Sequence, residues 1–156
     1  MSSYFYFDAK NSTDVIFTVA TYSRSNVMYR IWEEVGVPSY AEARVITPEV
    51  INEAINEARS MKQRNEEEIA RINEKILDLK DIARGAKPDA IEDLWGRILD
   101  YQDEKKEYEE DNRHVGGIIY ELYTWRDMVE YENEGWTFYG HIEGWLPGEE
   151  PENGLM

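Results

Sequence analysis

His114 and His141 are the only imidazoles in the 156-residue chain, and there is no cysteine. Thiolate catalysis, disulfides and Cys-ligated zinc drop out together. Asp111 and His114 stand at i, i+3, one face of a helix. Di-iron bundles use Glu-x-x-His at that spacing, but they need a second copy and further carboxylates from facing helices. A single copy reads as a solvated or seam-edge histidine, so no metal site is expected. His141 and Glu143 would share one face of a strand, yet no nucleophile motif accompanies them: GxSxG, HExxH, the P-loop and GxGxxG are all absent. No catalytic residue and no cofactor is expected.

The segment Ser23-Arg24-Ser25-Asn26 offers different chemistry. It links a strand to a helix N-terminus, where free N–H groups, two hydroxyls and an arginine would suit a phosphate or carboxylate. Ordinary capping needs only one of those residues. These four are the anion-binding candidates.

Charge carries more information. With 33 acids against 17 bases the net charge is −16, which argues against direct nucleic-acid binding and against acidic membranes as partners. Residues 115–156 hold nine acids and one base, Arg126, interleaved with large aromatics. Aromatics among carboxylates suit a basic protein partner, with ring area supplying affinity and charge supplying steering. The first partner-binding set is Glu130, Glu132 and Glu134 with Trp136 and Tyr139. A second set, Glu107, Glu109, Glu110 and Asp111, is expected to face Glu66, Glu67 and Glu68 as one negative belt.

These side chains need elements to hold them. Tyr4-Phe5-Tyr6-Phe7 and Val15 to Val19 read as a β-hairpin around DAKNSTD. Ser23 or Ser25 would cap a short helix through Val35, ended by Gly36. Thr47-Pro48-Glu49 opens a long helix. From Ile51 to Ala83, and again from Ile91 to Val129, a heptad seam recurs with polar breaks at Lys62, Asn65, Lys105 and Asn112. A turn at residues 85–88 folds the helices into an antiparallel hairpin. Facing positions then sum to about 173, so Ile76 meets Ile98, Lys62 meets Asn112, and Asn65 meets Tyr108. Gly116-Gly117 interrupts the second helix, as a kink, where the N-terminal sheet approaches closely, or as a hinge. That helix runs to Glu134, and Trp136 to Tyr139 is a strand candidate, with an extension towards Ile142, that could add to the β-hairpin as a third strand.

The fold class is therefore α+β: a small antiparallel sheet with a short helix and a long projecting helical hairpin. Residues 1–46 with 135–146 make the small unit, 47–134 the hairpin, and 147–156 a mobile acidic tail. The N-terminus lacks a signal-like pattern and no stretch approaches a bilayer span, so a soluble cytoplasmic protein is expected.

In size and acidity the chain resembles small phage-encoded anti-defence inhibitors, including DNA-mimicking anti-CRISPR proteins. That resemblance implies a non-catalytic inhibitor seated on the cationic surface of a nucleic-acid-handling protein, such as a nuclease or host defence effector. A nuclease immunity protein would look the same. Two other classes fit: a protein that sequesters an anionic nucleotide-like signal at Ser23–Asn26, or a coiled-coil assembly factor that forms homo-oligomers.

Overall fold

Asn11 makes the first turn. Its side-chain Oδ1 accepts from the Thr13 and Val15 N–H groups at 3.0 and 2.9 Å and from the Thr13 hydroxyl at 2.9 Å. The computed structural model describes residues 3–131 and 134–149. On either side of the turn lie β1 (Tyr4–Asn11) and β2 (Ile16–Ser23), both longer than their aromatic and β-branched runs. Then follow α1 (Val27–Val35), β3 (Arg44–Val45), α2 (Pro48–Arg84), α3 (Pro88–Tyr131) and β4 (Trp136–Ile142). The sheet is antiparallel in the order β2-β1-β4-β3. The expected third strand is β4, and the two-residue β3 is an addition that sequence patterning cannot show.

Local chemistry sets the helix ends. The cap of α1 is Asn26, whose side chain accepts from the Met28 N–H at 2.9 Å. This corrects the Ser23 or Ser25 assignment. Gly36 closes α1 in the left-handed region at φ 98°. Thr47 caps α2, its hydroxyl accepting from the Val50 N–H at 3.3 Å with Pro48 in the first turn. Glu132 lies outside the described residues. Gly135, at φ 73°, turns the chain into β4.

Two compact units divide the chain: residues up to Ala58 together with those from Ile118 onward, and Arg59–Gly117. The first unit is built on one sheet face, where Phe5, Phe7, Ala9, Phe138 and Ile142 are all buried. Trp32 stacks on Phe5 at 5.4 Å and Trp125 on Phe7 at 4.3 Å, with 6.1 Å between the two indoles. Such offset ring pairs add about 0.5–1.5 kcal/mol each beyond the area they bury.

In the second unit Ile72, Ile76 and Leu79 of α2 pack with Leu94 and Ile98 of α3. Every heptad position named by the spacing is buried or half-buried except Lys62, which is exposed. The polar break is therefore made differently from expectation. Asn65 donates to Asn112 at 3.1 Å, one turn from the expected Asn65–Tyr108 pairing, and Lys62 keeps its charge in water. Among the described residues, no helix is long and apolar enough to cross a membrane.

Helix α3 runs through Gly116 and Gly117, and nothing comes within 4 Å of a Cβ built at either. Close approach of the sheet is thus not their reason. Substituting both with alanine should raise stability by about 1 kcal/mol per site, read as a higher thermal midpoint. A lower midpoint would mean that the helix needs glycine freedom there.

Candidate functional site

Asp100, Glu104, Glu107 and Asp111 recur on α3 at steps of four, three and four, so they share one face of the helix. Tyr101 and Tyr108 stand beside them towards the seam, where both pack partly against its core. Glu104, Glu107, Tyr108 and Asp111 line a hollow of about 400 Å3. Glu104 also borders a smaller one of about 200 Å3 with Arg97, Asp100 and Tyr101. Besides Arg97 of α3, helix α2 supplies cations on this side. Arg71 is bound to Glu68 at 2.6 Å and feels Glu104 and Tyr108, and Lys75 sits 5.7 Å above the Tyr101 ring. No such cation reaches the other end: among the described residues Glu107 and Asp111 make neither an ion pair nor a hydrogen bond.

The belt expected at this level is only partly assembled. Glu107 and Asp111 line the hollow, whereas Glu109 and Glu110 point elsewhere because consecutive helical residues are ~100° apart. Glu66 and Glu67 are exposed on α2, Glu67 accepting from Gln63 at 3.3 Å, and Glu68 is neutralised by Arg71. Runs of adjacent acids in the sequence do not point to Asp100, Glu104 and Tyr108. The signal that finds them is the i, i+3, i+4 recurrence.

The C-terminal set has a different setting. Glu130 and Glu134 are exposed, and Trp136 and Tyr139 line a hollow of about 440 Å3. That hollow contains a cation, Lys10, which the β1–β4 register places opposite Thr137. Lys10 donates to the Pro147 carbonyl at 2.9 Å and lies 3.5 Å from Asp14. Arg126, the base nearest in sequence, turns instead to Asn52 at 2.8 Å and to the Tyr123 ring. Trp136 is also packed edge-on against Phe17 at 5.1 Å.

The Ser23–Asn26 turn is occupied by its own contacts. The two serine hydroxyls lie 3.0 Å apart and the Asn26 amide is the α1 cap, which leaves Arg24 exposed. Next to it, the Tyr22 hydroxyl donates to Glu121. Burial first, and then that bond, push the Tyr22 phenol above its ordinary value.

The opposite sheet face carries a buried pair that the sequence did not reveal. Asp8 Oδ2 lies 2.7 Å from His141 Nε2, with both side chains nearly inaccessible. The Gly144 N–H donates to His141 Nδ1 at 3.1 Å, so that nitrogen carries no proton and Nε2–H donates to Asp8. Tyr6 stacks on the imidazole at 5.1 Å. Burial, then the charge of Glu143, raise the Tyr6 phenol above its usual range. Gly144 fits because a Cβ there would come within 2.1 Å of the Ala41 carbonyl oxygen. Glu143 leaves the strand at φ 50° and accepts from the Tyr4 N–H at 3.0 Å. An Asp–His pair resembles a base with its orienting carboxylate, but here both ring nitrogens are engaged and the pair joins β1 to β4. Among the described residues, no group of three or more His, Asp or Glu is placed to hold a metal.

Comparison with protein-family models, curated proteins and solved structures finds no match. The functional reading therefore rests on this geometry alone.

Removing Asp8 should show what the pair is worth. Asp8→Ala leaves the buried Nε2–H without an acceptor, costing about 1–3 kcal/mol, seen as a lower urea midpoint. Asp8→Asn keeps an acceptor oxygen and should lose less. An unchanged midpoint for the alanine variant would contradict the assigned role.

Proposed function

We propose that this protein is an acidic, non-catalytic binding protein that occupies the cationic nucleic-acid-binding surface of a basic protein, of the nuclease or defence-effector kind. The observation that carries the reading is the acidic face of α3. Asp100 with Glu104, Glu104 with Glu107, and Glu107 with Asp111 are all like-charge neighbours at i, i+3 or i, i+4. Each such pair weakens a helix by roughly 0.2–0.5 kcal/mol. A face serving only solubility would mix the signs, as most of α2 does. Arg71 and Arg97 offset Glu104 and Asp100 in part, whereas among the described residues Glu107 and Asp111 have no such cation, and local rules broken without compensation mark functional positions.

The spacing supports the same reading. Four carboxylates span eleven helical rises from Asp100 to Asp111, ~16.5 Å at ~1.5 Å each, or one charge every ~5.5 Å. One DNA strand carries a charge every ~3.4 Å along its axis, so this face reaches roughly 60% of the line charge of one strand. Tyr101 and Tyr108 along the same edge add aromatic area of the kind that anchors interfaces. The Glu130 and Glu134 surface ranks second, because Lys10 stands in the adjoining hollow and offsets its field.

A charge reversal separates function from stability. The triple variant Glu104→Lys, Glu107→Lys, Asp111→Lys keeps two like-charge neighbour pairs as Lys–Lys and turns the Asp100 pair into an attractive one, so its thermal midpoint should be nearly unchanged. Immobilised wild-type protein should capture basic nucleic-acid-binding proteins from a bacterial lysate at low salt and release them at high salt. The folded triple variant should retain less than a tenth of that capture. Equal capture by the variant, or capture of acidic proteins that ignore salt, would overturn the proposal.

A further inference from the structure

Strand β2 ends the sheet, and among the described residues no strand pairs with its outer edge. Natural edges are usually blunted by lysine, proline or a covering element. From Val15 to Ser23 this one has no charged residue and no proline, and Val15, Ile16 and Phe17 are exposed at 53, 40 and 48%. Its single irregularity is a bulge at Val19, where Phe7 pairs with Ala20 but Asp8 with Thr18.

That bulge defines what can pair with the edge. The Asn11 N–H bonds the Val15 carbonyl and the Arg24 N–H bonds the Ser3 carbonyl. Alternation from these two ends turns the backbone groups of Phe17, Ala20 and Tyr22 towards β1. Those of Ile16, Thr18, Thr21 and Ser23 therefore face outward. The outward positions are two residues apart, then three, then two. An unbroken strand cannot match that spacing across its whole length, but the same strand running antiparallel does.

We propose that β2 is the pairing edge of a two-fold dimer, with a second copy of this chain as its occupant. Antiparallel pairing sets Ile16 against Ser23 of the second copy and Thr18 against Thr21, so the two bulges coincide. On the core-side face Phe17 then meets Tyr22 of the second copy, a favourable cross-strand aromatic pair. The charges bounding the strand also match. Asp14, 85% exposed, comes beside Arg24 of the second copy, and the two-fold axis makes that contact twice. The uncharged run between them lets two chains of net charge −16 meet without placing acid against acid.

The test uses the full chain. Sedimentation equilibrium from low micromolar to near-millimolar concentration should show the mass rising from 18.4 kDa towards twice that value. Hydrogen exchange at the Ile16, Thr18 and Thr21 amides should slow in step. Asp14→Lys or Arg24→Glu alone should weaken association about two- to thirtyfold through two lost exposed pairs, and the double swap should restore it. Circular dichroism confirms folding for each variant, and the wild-type exchange measurement stands should a variant fail. A monomer throughout, a dimer whose three amides stay fast, or the same amides protected at every concentration would overturn the proposal.

Discussion

Strand β1 must find β4 across almost the whole chain. The Asp8–His141 contact that joins them spans 133 positions, and closing a flexible loop of that length costs on the order of 4 kcal/mol. The helices lower that cost. Because α2 and α3 pack antiparallel, the chain leaves the first unit at Ala58 and re-enters it at Ile118, so most of the intervening length is ordered rather than free. Once β1 and β4 are paired, Phe5, Phe7 and Ala9 align with Ile142, Gly140 and Phe138. The Trp32 and Trp125 rings then have a surface to stack on. The same register sets Lys10 opposite Thr137 and tethers the segment after β4 through Pro147. The sheet core and both surfaces of the first unit therefore depend on one strand pairing.

What the sequence made legible was local and periodic. The heptad seam, Thr47-Pro48 at the start of α2, Gly36 at the end of α1 and the start of β4 all follow from spacing or from a residue whose backbone preference is strong. What it concealed was non-local. Asp8 lies in a stretch that reads as turn, DAKNSTD, and only its partner 133 positions away makes it a strand residue. Strand β3 is two residues long and shows no alternation. Trp125 lies off the helical seam, and its role appears only once Phe7 and Trp32 are beside it. Ser23 and Ser25 are the caps that spacing suggests, but their hydroxyls lie 3.0 Å apart and the cap is Asn26.

The acidic surfaces divide in the same way. Counting acids along the chain draws attention to the C-terminal quarter, where bases are almost absent from the sequence. Folding changes that balance, because β1 carries Lys10 into the hollow with Trp136 and Tyr139, while Arg126 is engaged elsewhere. On α3 the opposite happens. Lys105 and Lys106 are adjacent in sequence, yet helical geometry turns them away from the face that holds Glu104, Glu107 and Asp111. Residues 100–111 hold seven acids and two bases, and the two bases both fall off this face. Net charge of a segment is therefore a poor guide to surface potential, and charge per helical face is a better one.

The account rests on that face taking the place of a phosphate backbone, and competition tests it most directly. Labelled double-stranded DNA is bound to a basic protein captured by this chain, and the chain is titrated in while fluorescence anisotropy and complex mass are followed at fixed low salt. The account predicts release of DNA in proportion to occupancy, with no species containing all three components. A stable ternary complex, with the DNA still bound at saturating protein, would contradict it.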